Sequence, residues 1–392
     1  MTDAQFPERE LDAHRARWLG TVDEAYAEMA RCIDGATSTV RLETYILRDA
    51  APATWFRAAL LRARERGVRV RVLLDAFGSE DLSDEFLAPL RQAGVRVAMF
   101  NPKRLLRLSF RNHRKLLAVD GATAVVGGFN IGPEYAGDGV TRGWCDAGLV
   151  IHGPVVTAIE RSFDAMFGLA PFTAWRIRRF RRFVRRVDAA TGPHHVAGNG
   201  PIELLTRGPA IPRRLLRRVM HHDLRKARDV AIASAYFLPA PDLRRMLYHV
   251  AQNAGRVRIL LAGNTDVPLA RYAAERFYRR LFRRRIAIHE YQPQILHAKL
   301  IIADDVLYVG SSNLDRRSLQ INYELLLRLQ WPELAADARQ WFERALQHAP
   351  AVDPQRWRAG RSFWQRLRSR LAYQLLARLD PLLARRRFRA IS

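Results

Sequence analysis

Cysteine is scarce in this chain of 392 residues. Only Cys32 and Cys145 occur, far apart and without a CxxC pair, which excludes a disulfide framework and a cysteine-rich metal site and favours a reducing compartment. No uninterrupted apolar run reaches the length of about 18 residues that a membrane-spanning helix needs. The first fifteen residues include acids and no apolar stretch, so we expect no secretory signal. If the protein meets a membrane, we expect it to lie on the surface.

Lysine is also rare: four of the 65 basic residues are lysine and the rest are arginine. Against 39 acidic residues, this basic excess gives a net charge of +26. Such a charge indicates an anionic partner, either nucleic acid or an acidic membrane surface, and charge alone does not choose between them. Apolar residues make up 48% of the chain, which suffices for buried cores and, at this length, for two domains of ordinary size.

The chain carries an internal duplication. The apolar run VRVLL at 70–74 reappears as VRILL at 257–261, and the stretch at 43–47 has a counterpart at 234–238. Helical patterns separate these strand-like runs, and strands that alternate with helices are typical of α/β layers with a parallel sheet. We therefore predict an α/β fold of two tandem α/β/α domains, each with a central mixed, mostly parallel sheet.

We place the two domains at 18–170 and 201–345, after an N-terminal segment at 1–17. A basic amphipathic linker at 171–200 joins the domains, and a basic amphipathic tail at 346–392 follows them. The tail contains one apolar row, which lies beside arginines. The row consists of Phe363, Leu367, Leu371, Leu375 and Leu379. Linker and tail each fit an arginine-rich helix on a membrane surface or a helix docked on the protein core, and both interpretations stay open.

Two segments share the pattern H-x-K-x4-D, namely His113, Lys115 and Asp120, and His297, Lys299 and Asp304. They lie at corresponding places in the duplication and use two of the four lysines. Residues two apart on a strand point to the same face, so each segment presents an imidazole beside an ammonium. The pattern occurs twice in register with the repeat, which is a strong sign of a functional site.

A turn of small residues follows each motif and ends at Asn130 in the first domain and Asn313 in the second. We expect these amides to join the His/Lys pairs as groups that bind substrate phosphate. For orienting the imidazoles we favour Asp146 and Glu324, because a carboxylate that accepts the Nδ1 proton fixes the tautomer and leaves Nε2 free to react.

The motif aspartates raise a different expectation. Asp120 and Asp304 lie five positions beyond the lysine, an odd number, so strand alternation does not aim them at the same face. The dipeptides Asp120-Gly121 and Asp304-Asp305 are typical of turns between strands. We favour a structural role for both aspartates, although they complete the motif and so remain in the candidate catalytic set.

Two half-sites that face each other would surround one anion with two imidazoles, two ammoniums and two amides. That set suits phosphodiester chemistry: one neutral histidine attacks phosphorus to form a phosphohistidine, and the other donates a proton to the departing oxygen. Lysines and asparagines hold the phosphoryl oxygens as negative charge grows. Paired histidines also bind metals, but lysine between the ligands would repel a cation. We expect no metal and no cofactor.

At these residues the chain resembles the phospholipase D superfamily, and within it the bacterial cardiolipin synthases of the short type without N-terminal transmembrane helices. The resemblance rests on LETYILRDA, RVLLDAFGSEDLSDEFL, HRKLLAVDG with GGFNIGPEY, SAYFLPA, and HAKLIIADD with VGSSNLDRRSLQINYE. It implies two facing phospholipase D-like domains that share one active site at their interface. It also implies His113 as the nucleophile and His297 as the acid and base, an order that the near-symmetric sequence does not decide.

The resemblance further implies phosphatidyl transfer. One phosphatidylglycerol donates its phosphatidyl group, glycerol leaves, and the headgroup hydroxyl of a second phospholipid attacks; phosphatidylglycerol is the expected acceptor and cardiolipin the product. The implied partners are these lipids and an anionic membrane surface, at the cytoplasmic face of a bacterial inner membrane. The alternative is a hydrolase of the same superfamily, a phospholipase D or nuclease, since arginine neutralises nucleic-acid phosphates equally well. The sequence leaves the acceptor lipid and the oligomeric state open.

Overall fold

The computed structural model describes residues 6–101, 111–170, 200–208 and 214–376, which form two β-sheets with flanking helices. The strands of the first sheet are β1 (Glu8–Leu11), β2 (His14–Leu19), β3 (Thr39–Thr44), β4 (Arg69–Asp75), β5 (Arg96–Phe100), β6 (Leu116–Val119), β7 (Thr123–Gly127) and β8 (Gly148–His152). Those of the second are β9 (Ile202–Arg207), β10 (Asp229–Ser234), β11 (Arg256–Ala262), β12 (Ala287–Tyr291), β13 (Lys299–Ala303), β14 (Val306–Gly310) and β15 (Glu324–Gln330).

The helices lie before, between and after the strands. The first domain contains α1 (Val22–Asp34), α2 (Ala51–Glu65), α3 (Asp84–Gln92) and α4 (Val155–Leu169). The rest are α5 (Arg214–Lys226), α6 (Pro241–Gln252), α7 (Pro268–Phe282), α8 (Arg316–Gln320), α9 (Pro332–Leu346), α10 (Pro354–Ala359) and α11 (Phe363–Gln374). Their first residues follow the usual rules: proline occupies the first turn of several, and the side chains of Thr21 and Ser83 cap α1 and α3.

The duplication is confirmed strand by strand. The first sheet has the order β1-β2-β8-β7-β6-β3-β4-β5, and the second has β9-β15-β14-β13-β10-β11-β12 when read in the same direction. Apart from β1, each strand therefore has a counterpart at the same place in the other domain. The predicted α/β fold with mixed sheets is correct.

The expectation of mostly parallel sheets is wrong. Parallel pairing is confined to β3-β4-β5 and β10-β11-β12, and all other strand pairs in the two sheets are antiparallel. The reason lies in the connections. Helices link the parallel strands, whereas β6 and β7, like β13 and β14, are joined by tight turns, and a tight turn can only join antiparallel neighbours.

The first sheet begins upstream of residue 18. Strands β1 and β2 pair with each other, and β2 pairs with β8, so most of residues 8–19 belong to the first domain. The predicted linker lies outside the described residues except for Gly200, and so does the tail beyond residue 376.

One buried apolar cluster joins the two domains. It includes Trp18 and Phe163 from the first domain and Trp331 and Phe342 from the second. The ring of Trp18 lies 6.3 Å from that of Trp341. Burial of each such side chain contributes about 1.5–3 kcal/mol, so this shared core holds the two sheets in one relative position.

The described part of the tail docks on the second domain. Helix α11 begins with a capping box between Ser362 and Gln365 and packs against α7, where Ala372 is buried. On its other side, Phe363 and Leu371 of the apolar row are exposed, and so is the neighbouring Trp364, at 73%. The described part of the tail is thus docked on one side and exposes apolar residues on the other, and the membrane-surface interpretation stays a prediction. No helix among the described residues is both long and apolar enough to cross a membrane.

Candidate active site

The two motifs lie at equivalent edges of the two sheets. Strand β6 begins at Leu116 and β13 at Lys299, so each histidine lies just before its strand instead of within it. The antiparallel partners β7 and β14 end at the same edges. The turns that lead to Asn130 and Asn313 therefore begin beside the His/Lys pairs.

Backbone hydrogen bonds tie these edges together across the domain boundary. The amide of His113 donates to the carbonyl of Tyr323 at 2.9 Å. In the reciprocal contact, the amide of His297 donates to the carbonyl of Cys145 at 2.7 Å, and the Cys145 amide donates to Ile295 at 2.9 Å. Each motif is thus held by a segment of the other domain, so both belong to one site.

The orienting carboxyl groups are exchanged between the domains in the same way. The Nδ1 of His297 lies 2.6 Å from a carboxylate oxygen of Asp146, in the first domain. The Nδ1 of His113 lies 3.1 Å from the carboxyl group of Glu324, in the second domain. The structure therefore places both expected carboxyl groups beside the imidazoles. Gly128 makes room for one of them, because a Cβ at this position would collide with the Asp146 carboxylate.

The two carboxyl groups differ in charge. Burial raises the pKa of both, but at Asp146 the nearby Lys299 and His297 outweigh burial and hold the pKa below its ordinary value. At Glu324 burial prevails over Lys115 and the Ser311 hydroxyl, and the pKa rises to about 8. At pH 7 Asp146 is therefore ionised, whereas Glu324 carries a proton.

Both imidazoles are surrounded by positive charge. Burial, followed by Lys115 and Lys299, holds the pKa of His113 well below its ordinary value. Burial and Lys299 lower the pKa of His297 to about 4, although Asp146 opposes them. With only these protein groups around them, both imidazoles are neutral at pH 7.

The Nδ1 proton of His113 is fixed by a backbone group. The carbonyl oxygen of Ser311 lies 3.1 Å from this nitrogen, and a carbonyl can only accept. Nδ1 of His113 therefore carries the proton and Nε2 keeps its lone pair. At His297 the ionised Asp146 fixes the same tautomer.

The two lysines form a buried pair of ammonium groups. Lys115 donates from Nζ to the carbonyl of His113 at 2.7 Å, and Lys299 makes the same bond to the carbonyl of His297. Burial and the neighbouring Lys299 hold the pKa of Lys115 well below its ordinary value, and burial lowers that of Lys299 to about 8. Two cations in such surroundings favour an anion between them.

Both asparagines are buried, but their contacts differ. The Oδ1 of Asn130 accepts from the amide of Ile46 at 3.2 Å, and its carbonyl accepts from the Tyr26 hydroxyl at 2.6 Å. The Oδ1 of Asn313 has no hydrogen-bond partner among the described residues. The first amide is thus held in place by the protein, whereas the second has unused hydrogen-bonding capacity.

The motif aspartates lie at the opposite ends of their strands, so the structure does not join them to the histidines. Asp120 has a φ of 53° and accepts from the amides of Thr37, Ser38 and Thr39 at 2.6–2.8 Å. Asp304 has a φ of 49° and accepts from the amides of Arg228 and Asp229. Their place in the candidate catalytic set is therefore not supported, and the turn geometry agrees with the structural interpretation.

Several aromatic side chains of the site escaped the sequence reasoning. The ring of Tyr45 lies 4.8 Å from that of His113, and Lys115 Nζ lies 5.0 Å from the Tyr45 centroid. Trp144 and Tyr135 lie 5.2 Å and 5.4 Å from the ring of His297. Trp144 stands two residues before Asp146, which is the one signal that could have marked it. Among the described residues no group of three histidine, cysteine or acidic side chains is arranged to hold a metal ion.

Comparisons with known proteins find similar chains along most of this sequence. The family described as "Cardiolipin synthase, PLD-like domain" matches residues 29–167 and 220–346, one match in each domain. A cardiolipin synthase of Geobacillus kaustophilus is 30% identical over 92% of this chain and 71% of its own length. Cardiolipin synthase B of Salmonella typhi is 32% identical over 80% of this chain and 76% of its own. The crystal structure of a phosphatidylserine synthase of Haemophilus influenzae superposes with a TM-score of 0.74 at 14% identity, covering 97% of both chains, and so shares the fold.

Proposed function

This chain belongs to the cardiolipin synthase family with phospholipase D-like domains and is a phosphatidyltransferase, and we propose that it makes cardiolipin from two molecules of phosphatidylglycerol through a phosphohistidine at His113. The observation that carries the proposal is the pair of buried imidazoles, each oriented by a carboxyl group of the other domain. Because Nδ1 of each ring is engaged, Nε2 is the nitrogen left to attack phosphorus at His113 and to carry the transferred proton at His297.

The difference between the two carboxyl groups supports the assignment of roles. Asp146 is ionised and stabilises positive charge on His297, which suits a group that must pick up and release a proton. Glu324 is protonated at pH 7 and gives His113 no such counterion, which suits a group that attacks as a neutral base. A bound phosphate anion would offset Lys115 and Lys299 and so raise the pKa of His297 toward the working range.

The transfer takes two steps. In the first, His297 has taken up a proton on Nε2 as the lipid phosphate binds; Nε2 of His113 bonds to phosphorus of the donor lipid, the P–O bond to glycerol breaks, and the departing glycerol oxygen takes the Nε2 proton of His297. In the second, Nε2 of His297 takes the proton from the headgroup hydroxyl of the acceptor lipid, that oxygen bonds to phosphorus, and the P–N bond breaks. Both imidazoles return to their initial states, and the products are cardiolipin and one glycerol.

The lysines and asparagines stabilise the phosphoryl group through both steps. Lys115 and Lys299 are buried beside the histidines and gain the most from negative charge that develops on the phosphoryl oxygens. Asn130 and Asn313 supply neutral donors at the same edge. Tyr45 packs on both His113 and Lys115 and so restricts their positions.

The proposal includes an anionic membrane surface as the place of reaction. Helix α11 carries Phe363, Trp364 and Leu371 on its exposed face, beside Arg366 and Arg370. Aromatic and apolar side chains flanked by arginine are typical of a helix that lies in the membrane interface. The two cysteines are unpaired, which fits the reducing cytoplasmic face of a bacterial inner membrane.

The test is product analysis with the full chain. The protein is incubated with vesicles of phosphatidylglycerol labelled with ³²P, and lipids and protein are separated. We expect labelled cardiolipin, glycerol in equal amount, and an acid-labile label on the protein that is absent from His113→Ala. Phosphatidic acid as the sole lipid product would make the protein a hydrolase, and cleavage of single-stranded DNA in place of lipid turnover would make it a nuclease.

A further inference from the structure

A basic groove lies outside the catalytic pair, on the surface of the second domain between α5 and α6. Its volume is about 670 Å³. Arginine and histidine dominate its lining, which includes Arg217, Arg218, His221, Arg225, Asp242 and Arg245. None of these residues takes part in the contacts of the two motifs.

The groove holds more positive charge than its own acid can neutralise. Asp242 lies 3.2 Å from Arg217 and also pairs with Arg245. Arg218 and Arg225 are exposed, and neither has an acidic partner among the described residues. Two guanidinium groups are thus available to an external anion.

The arginines line the groove because of the way α5 is buried. Leu216, Met220 and Leu224 face the core of the second domain. Three lining residues, Arg218, His221 and Arg225, are spaced by three and four positions, so they share the opposite face of the helix. The packing that stabilises α5 therefore directs these charges toward α6.

The groove begins near the catalytic edge of the second sheet and runs away from it. Helix α5 follows β9, whose last residue, Arg207, pairs with Glu324. Helix α6 follows β10, whose last residue, Ser234, pairs with Lys299. Both helices therefore begin near the sheet edge that carries the site, and the lining of the groove runs along them from their first turns to their last.

The groove also shares a helical layer with α11. Side chains of α5, α6, α7 and α11 enter the same buried cluster, among them Met220, Met246, Phe277 and Ala372. The basic groove and the apolar face of α11 thus belong to one layer of the second domain. Because the groove and α11 share this layer, we favour a ligand from the membrane surface on which α11 would lie.

We propose that this groove is a second, non-catalytic site, which binds the phosphodiester headgroup of an anionic phospholipid. Guanidinium groups match phosphate oxygens with two parallel hydrogen bonds, and the volume is that of an ordinary small-ligand site. Among the described residues that line the groove there is no phenylalanine, tyrosine or tryptophan, so it lacks the large stacking surfaces with which proteins hold single-stranded nucleic acid. The inference rests on the membrane part of the proposed function and not on the transfer reaction.

The test is a calorimetric titration of the full chain with monomeric dihexanoyl-phosphatidylglycerol, in a His113→Ala background that cannot turn the lipid over. We expect two classes of site, one at the catalytic pair and one in the groove. The double variant R218A/R225A should no longer show the class that belongs to the groove. Removal of each arginine should weaken lipid binding in the groove at least about tenfold, the effect of one charge-assisted hydrogen bond.

The matched control is R69A/R96A. Arg69 and Arg96 are exposed at the starts of β4 and β5, and their replacement lowers the net charge equally, so both classes should remain. A single class in the parent background, or two classes in R218A/R225A, would overturn the proposal. Inorganic phosphate that fills the groove as tightly as the lipid would assign the site to free phosphate, and a single-stranded oligonucleotide that does so would assign it to nucleic acid. Cardiolipin formation by the protein with His113 intact tests the transfer reaction separately.

Discussion

His113 and Glu324 belong to different domains, yet the imidazole Nδ1 lies 3.1 Å from the carboxyl group. His297 and Asp146 make the reciprocal contact at 2.6 Å. In neither domain, therefore, does the motif histidine have its carboxyl partner within the same domain. The duplication yields one site because each domain supplies the carboxyl group that orients the histidine of the other domain.

The carboxyl partners should respond unequally to removal of their charge. Glu324→Gln replaces a group that is already neutral at pH 7, so we expect kcat/KM for cardiolipin formation to fall less than about tenfold. Asp146→Asn removes a charge that stabilises the His297 imidazolium, and we expect a loss of about 100-fold or more. Steady-state kinetics of both variants checks this, and equal losses would contradict the assigned protonation states.

A substrate whose leaving group needs no proton should distinguish the roles of the two histidines. His297→Ala removes the proton donor and should slow transfer from phosphatidylglycerol by roughly 10²–10⁴-fold. A lipid analogue with a p-nitrophenyl leaving group needs no proton, so His297→Ala should still release p-nitrophenol in a burst, whereas His113→Ala should not. Stopped-flow absorbance records the burst. A burst from His113→Ala alone would reverse the roles.

The pH profile should be limited on the alkaline side. Lys299 has its pKa lowered to about 8, and the pKa of Lys115 lies well below its ordinary value. The site therefore loses positive charge and binds the phosphate less tightly by the time the pH has risen through about 8. On the acid side, the pKa of His297 is about 4, so it stays neutral in the free protein at pH 5, and the pKa of His113 also lies well below its ordinary value. Because the transfer needs a proton on His297 that the free protein does not hold, we expect kcat/KM to fall as the pH rises from about 5, and to fall more steeply above pH 8. An acid limb near the ordinary histidine pKa of about 6.5 would speak against this environment.

Membrane attachment should depend on the exposed face of α11. Trp364→Ala removes a side chain that is 73% exposed and should weaken partitioning into phosphatidylglycerol vesicles about tenfold, the effect of one large apolar contact. Trp55→Ala is the matched control, since Trp55 is 62% exposed on α2. Vesicle co-sedimentation measures both. Point variants are preferable to deletion after Arg361, because α11 also packs on α7. Equal effects of the two substitutions would exclude a special role for α11.

The motif aspartates should contribute to stability and not to chemistry. Asp120→Ala removes an acceptor of three backbone amides, and we expect a loss of about 1–3 kcal/mol in the free energy of unfolding. Thermal or denaturant unfolding measures this loss. Activity per folded molecule should change little. A protein of unaltered stability that has lost its turnover would return Asp120 to the catalytic set.

The fold and the site were predictable to different depths. The repeated strands and the helices between them could be recognised because apolar periodicity is a local property, and β4, β11, α2 and α6 lie where the pattern predicted them. The turn dipeptides at 120–121 and 304–305 predicted one antiparallel pair in each domain. The rest of the antiparallel half did not follow from the sequence, since an apolar run such as 116–119 indicates a buried strand but not the direction of its neighbours. The spacing argument also foresaw that Asp120 would not face the same way as Lys115.

The sequence alone determined the duplication, the two His/Lys pairs, the charge of the chain and the residues that could orient the imidazoles. The tertiary structure decided that each carboxyl group serves the histidine of the other domain and that Asp146 is ionised while Glu324 is not. Ionisation depends on burial and on neighbouring charges, and at this site those neighbours come from segments up to 211 residues apart in the chain. Packing of the two sheets around their shared core creates that environment, which no local pattern contains.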